Sequence, residues 1–138
     1  MKLDLTPLAN AIASFEEGIA AVSNENWFNS QTKAVQNTLI AGVIQNFEFV
    51  YELSVKMIRR RIELDAATPT DADFADYREL LRTAAEGGLI ADVEAWFEYR
   101  KLRNLTSHTY DHEKARQVYR AFLSDAKALL KTLEARSV

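Results

Sequence analysis

The run SQTKAVQNTLIAGVIQNFEFVYELSVKMIRRRIEL, residues 30–64, decides the fold. It contains no proline, and Val35, Leu39, Val43, Phe47, Val50, Leu53 and Met57 recur along it at intervals of mostly three or four residues. That spacing gathers them on one stripe of an α-helix, whereas a strand would scatter them over both faces. A single helix from near Ser30 to about Leu64 would be ~50 Å long. Gly42 lies inside it, at a cost of roughly 1 kcal/mol relative to alanine unless the space is needed. Either another helix, such as one from a second subunit, comes close there, or the glycine is a tolerated defect.

The same period continues on both sides of this run. Leu8, Ile12, Phe15, Ile19 and Val22 predict a helix from about Asp4 into the early twenties, broken by Ser23-Asn24-Glu25-Asn26. After a loop at Asp65-Ala-Ala-Thr-Pro-Thr-Asp, Thr70 or Asp73 would cap a helix bearing Phe74, Tyr77, Leu80, Leu81 and Ala84, which Gly87-Gly88 ends. A fourth helix starts near Asp92, turns Val93, Trp96 and Phe97 inward, and stops around Asn104–His108. Asp111 would cap a fifth, with Ala115, Val118, Phe122, Ala126, Leu129 and Leu133 on one stripe. The expected fold is all-α: an antiparallel up-and-down bundle of about five helices with one very long helix, forming a single domain over residues 1–138.

With 138 residues the chain can bury a sizeable core without staples, and it has no cysteine, which agrees with a reducing compartment. Its first residues show no basic segment followed by an apolar one, and no apolar run approaches membrane-spanning length. A soluble, cytoplasmic protein is the expectation. A formal net charge of −3 argues against a general nucleic-acid coat protein. Locally the balance differs. Lys56, Arg59, Arg60 and Arg61 form one basic cluster, read as a solvated face, and Arg100, Lys101 and Arg103 form a second.

The second cluster runs into Arg103-Asn104-Leu105-Thr106-Ser107-His108-Thr109-Tyr110, in a chain with only two histidines. Metal-independent RNA cleavage needs a base for the 2′-hydroxyl proton, an acid for the leaving oxygen and a cation for the phosphate. Arginine offers a planar fork of donors, and histidine titrates near neutrality and can take either proton role. Asn104 can hold the imidazole tautomer or bind a phosphate oxygen, Thr106 and Ser107 add hydroxyls, and Tyr110 adds a modifiable one. On a regular helix Arg103 and His108 would point ~140° apart. The helix must therefore end or distort near Thr106–Ser107, or two chains must share the site. The residues alone leave a structural alternative open: His108 as a helix C-cap and Arg103 as a surface partner of Glu98 or Asp111.

Other chemistries lack their residues. The two histidines have no carboxylate at metal-ligand spacing, and the pair Glu48 and Glu52 has no accompanying Glu-x-x-His, so no metal is expected. No cofactor is expected either, since phosphate-binding glycine loops are missing. The aromatics, Trp27, Phe28, Phe49 and Trp96 among them, read as core or interface rather than as a base-stacking platform. His112 reads as a solvent-facing residue in the first turn of the last helix.

Three stretches, Arg103–Tyr110, Thr38–Leu53 and Gly88–Arg100, resemble the nucleotidyltransferase substrate-binding proteins of the HEPN superfamily, and the likeness covers almost the whole chain. The motif matches the superfamily's arginine, four residues, histidine, one residue, tyrosine, with the polar residue after the arginine present as Asn104. This resemblance implies a helical bundle that dimerises so that two motifs meet in a cleft, together with a partner minimal nucleotidyltransferase. In toxin–antitoxin members the helical protein is a ribonuclease, and the partner silences it by attaching AMP to the motif tyrosine. Those roles would fall on Arg103, His108 and Tyr110. Other members are non-catalytic subunits that present substrate to the transferase, so a ribonuclease toxin and an adaptor subunit are both implied.

Overall fold

The computed structural model describes residues 3–66, 76–104 and 112–136, with backbone alone for 112–114. These residues form six helices: α1 (Thr6–Ser23), α2 (Glu25–Ser30), α3 (Lys33–Asp65), α4 (Tyr77–Glu86), α5 (Val93–Asn104) and α6 (His112–Arg136). The expected very long helix is α3. Its start lies three residues beyond Ser30, because the Thr32 side chain accepts a hydrogen bond from the Val35 amide at 3.2 Å and caps it. The expected break after α1 is narrower than Ser23–Asn26. Asn24 alone separates α1 from α2, its side chain accepting from the Trp27 amide at 3.4 Å.

Inter-helix contacts give the directions. Asn46 of α3 donates to the Ser14 carbonyl, and a Cβ at Gly18 would meet Val43 at 3.3 Å, so α1 runs antiparallel to α3 at close range. Lys127 pairs with Glu16 and Arg120 donates to Ser23 at 2.8 Å, which makes α1 antiparallel to α6 as well. α5 turns back along α3: Leu89, just before it, shares a cavity with Ile62, while Arg103 at its far end reaches Glu52. The result is the expected antiparallel up-and-down bundle.

Aromatic rings fill the middle. Phe15, Phe47, Tyr119 and Phe122 are each at most 1% exposed, and Phe122 also meets Tyr51, Trp96 and Tyr99. Of the expected long-helix stripe, Val43, Phe47, Val50 and Met57 are buried, Leu39 and Leu53 half-buried, and Val35 exposed. The antiparallel register explains Val35: α1 ends at Ser23, so the first turn of α3 overhangs its partner. Among the described residues, apart from its own helix backbone and chain neighbours, nothing lies within 4 Å of a Cβ placed on Gly42. The glycine that a close intramolecular approach requires is Gly18.

Helix α4 is capped by Asp76, whose side chain accepts from the Glu79 amide at 2.9 Å; Thr70, Asp73 and Phe74 lie outside the described residues. Its end matches expectation. Gly88 takes φ +79°, and the amides of Gly88 and Leu89 return to the carbonyls of Ala85 and Ala84, a Schellman closure. On α5 Trp96 is buried as expected, while Val93 and Phe97 are only half-buried and Tyr99 takes the second buried position. Arg78 and Arg82 of α4 lie over the Phe97 ring at 4.8 and 5.8 Å. The cap assigned to Asp111 falls outside the described residues. Among them, no helix is long and apolar enough to cross a membrane.

Candidate functional site

Three helices converge where α5 ends. From α3 come Tyr51, Glu52, Val55, Lys56 and Arg59, which recur on one face over two turns. From α4 comes Tyr77, its first residue, and from α5 come Arg100, Arg103 and Asn104. They enclose an open cavity of about 330 Å³, at the small end of the range for ligand sites. Its described lining holds four cations against one carboxylate.

Arg103, Glu52 and Arg100 are held by neighbours. The Arg103 Nε donates to Glu52 Oε1 at 3.1 Å, and its Nη2 donates to the same oxygen. This hydrogen bond raises the Arg103 pKa further, so the guanidinium is a permanent cation. Glu52, one α-helical turn before Lys56, is its partner among the described residues in place of Glu98, while Asp111 lies outside them. One carboxylate oxygen takes only part of a guanidinium's five-donor fork. Arg100 lies with its Cζ 3.5 Å from the centre of the Tyr77 ring, a cation–π contact that holds it at the cavity wall. Tyr51 lines the floor, and its hydroxyl is buried beside Arg100 without a well-formed hydrogen bond among the described residues. Burial pushes its pKa up to about 12, although the charge of Arg100 draws it back down.

The α5 helix that carries these residues is anchored from beneath. Tyr99 is 3% exposed, and its hydroxyl donates to the Asp125 carboxylate of α6. Burial first, then Asp125, raises its pKa, so the phenol stays protonated. Trp96 packs edge-on against Phe122 at 5.6 Å. These contacts fix the rotation of α5 and point Arg100, Arg103 and Asn104 at α3.

Of the residues singled out in the sequence, Arg103 and Asn104 thus share one cavity, while His108, Tyr110, Thr106 and Ser107 lie outside the described residues. The first basic cluster is not simply a solvated face. Lys56 and Arg59 line the cavity, whereas Arg61 binds Asp65 at 2.7 Å and donates to the Arg136 carbonyl. The sequence reading missed Tyr51, Tyr77 and the pairing of Glu52 with Arg103. The only signal was the helical spacing of Glu52, Lys56 and Arg59.

A family model described as nucleotidyltransferase substrate binding protein like matches residues 3–135. The chain belongs to this family, within the HEPN superfamily. It is 46% identical over 139 residues, covering 99% of this chain and 95% of the relative, to a Haemophilus influenzae protein named probable ribonuclease HepT. A solved Haemophilus influenzae structure, described as revealing the fold of a substrate binding domain of a nucleotidyltransferase, superposes with a TM-score of 0.84 at 46% identity, covering 95% of this chain and 99% of that one.

Proposed function

We propose that the chain is the helical subunit of a two-component nucleotidyltransferase module and that it cleaves RNA without metal until its partner transferase nucleotidylates Tyr110. The observation that carries this reading is the cation-lined cavity at the end of α5, where Arg103 and Asn104 sit five and four residues before His108. The relative named probable ribonuclease supports it. Arg103 would bind the scissile phosphate, with Asn104 supporting. His108 would move protons: the 2′-hydroxyl loses one, its oxygen attacks phosphorus, and the 5′-oxygen leaves protonated, giving a 2′,3′-cyclic phosphate. Two copies of a cytoplasmic homodimer would supply base and acid from two histidines. AMP on Tyr110 would set bulk and negative charge beside Arg103 and displace the RNA phosphate.

The pairing of Arg103 with Glu52 favours a second reading, an adaptor that presents substrate to the transferase, since a carboxylate already engages the arginine. Cleavage of RNA in the presence of a chelator separates the two. The parent should leave cyclic phosphate ends, and Arg103→Ala or His108→Ala should slow it about 10²-fold or more. Folded variants as active as the parent would remove the site assignment, and an inactive parent would leave the adaptor. Co-expression with the transferase should add AMP-sized mass that Tyr110→Phe abolishes.

A further inference from the structure

The floor of the cavity carries a group that the proposed chemistry does not use. The Tyr51 ring is locked in the core, 6.4 Å from Trp96 and 6.2 Å from Phe122, and the residue is 3% exposed. Its hydroxyl nevertheless makes no well-formed hydrogen bond among the described residues; it lies next to the Arg100 guanidinium, and the residue lines the cavity. Leaving a buried hydroxyl unpaired is costly, on the order of 1–3 kcal/mol. Phenylalanine would fill the same core volume without that penalty. A tyrosine here is explained if something entering the cavity completes it.

The surroundings say what that is. Arg100 is held at the wall by Tyr77, Lys56 and Arg59 add charge from the next turns of α3, and the single described carboxylate of the lining, Glu52, is hydrogen-bonded to Arg103. A planar guanidinium, further cations and a hydroxyl donor suit a phosphate, whose oxygens accept from all of them. Arg100 and Arg103 stand one turn apart on α5, about 5 Å along the axis. One RNA strand can therefore engage both with successive phosphates.

We propose that this cavity is a phosphate subsite of the RNA-cleaving centre: Tyr51 and Arg100 donate to the oxygens of the phosphate next to the scissile one, and Lys56 and Arg59 supply long-range attraction. This rests on the RNA-cleaving reading for its substrate, although the subsite can be tested without turnover. Because burial holds the Tyr51 proton to about pH 12, the hydroxyl remains a donor throughout the working range. The subsite would make the protein prefer strands that carry a phosphate beyond the cut.

The test compares a 2′-O-methyl trinucleotide, with two phosphates, and a 2′-O-methyl dinucleotide, with one, by calorimetric titration of the full chain. Neither can be cleaved, since both lack the 2′-hydroxyl. The parent should bind the trinucleotide more tightly. Tyr51→Phe should remove about tenfold of that advantage, the worth of one hydrogen bond to a charged group, and leave the dinucleotide unchanged. Arg100→Gln should remove at least as much and flatten the dependence of log Kd on log salt by about 0.7. Thermal melting checks that both variants fold. Equal binding of the two oligonucleotides by the parent, no binding at all, or variants that keep the parent's preference would overturn the subsite. If the parent cleaves RNA while the variants keep the preference, the subsite falls and the ribonuclease reading stands. If the parent cleaves nothing yet Tyr51→Phe erases the preference, the reverse holds.

Discussion

Truncation of Phe122 should be among the most damaging single changes in the core. The ring is fully buried, and its centroid lies 6.0 Å from Phe15, 5.1 Å from Phe47, 6.2 Å from Tyr51, 5.6 Å from Trp96 and 4.8 Å from Tyr99. These rings come from α1, α3 and α5, so no one helix can shift to close the hole. A buried Phe→Ala change costs about 3–5 kcal/mol, and the cost rises with the cavity left unfilled. Each favourable ring pair adds about 0.5–1.5 kcal/mol beyond area, although the pairs share one ring and do not sum. The upper end, about 4–5 kcal/mol, is expected for Phe122→Ala. That is roughly a quarter or more of a typical domain stability of about 5–15 kcal/mol. At this chain length it corresponds to a fall in Tm of roughly 12–20 °C. Phe122→Leu keeps most of the volume and should cost about 1–1.5 kcal/mol. Phe49→Ala, at a residue 49% exposed, should stay within about 0.5 kcal/mol.

Urea unfolding followed by circular dichroism measures all three, with equal slopes required before the midpoints are compared. Two protein concentrations separate any contribution from self-association. A loss below about 2 kcal/mol for Phe122→Ala, or one no larger than for Phe122→Leu, would refute the claim that this ring joins three helices. The same variant should accelerate amide exchange in α5, since Trp96 and Tyr99 both lean on the ring.

Alkaline pH should weaken the fold. The Tyr51 hydroxyl, ordinarily near 10, is raised to about 12, and Tyr99 is raised in the same direction, so the folded state holds both protons more tightly than the unfolded chain. Stability should be full below about pH 10 and decline as pH climbs through 12, with Tyr51→Phe and Tyr99→Phe each flattening the decline; urea midpoints that stay level across that window would count against it. Gly42→Ala should raise the stability of the isolated chain by about 0.5–1 kcal/mol, because a Cβ there meets nothing within 4 Å. If α3 forms the proposed dimer interface around this glycine, sedimentation should show weaker dimerisation of the same variant, and an unchanged dimer would exclude Gly42 from the interface.

The parts of the fold legible in the sequence are those that repeat. The stripe from Leu39 to Met57 and the stripe from Ala115 to Leu133 are long enough for a 3.6-residue period to declare itself, and Gly87-Gly88 announces a left-handed closure that few other residues adopt. Helix α2 escaped because six residues span less than two turns, too short for any period. Tyr99 and Tyr119 were missing from the expected inward faces although both are buried. A tyrosine faces inward only when its hydroxyl finds a partner or a cavity, and for Tyr99 that partner is Asp125, 26 residues away.

Arg103 shows the same limit at the site. Its identity and its place beside Asn104 were readable from a local motif, but its described partner Glu52 lies 51 residues earlier, and sequence-near Glu98 was a more natural guess. Charge was the most misleading summary. A net −3 spread over the chain argues against a polyanion partner, yet α3 and α5 direct Lys56, Arg59, Arg100 and Arg103 into one cavity with a single described carboxylate. Fields at a binding site are set by the charges within about a Debye length, some 8–10 Å, so these four residues outweigh the distant acidic surface where a phosphate would sit. The distinction is measurable through salt: binding of the 2′-O-methyl trinucleotide should weaken steeply with ionic strength despite the acidic chain. A flat salt dependence would mean that the cations of the cavity do not meet a phosphate.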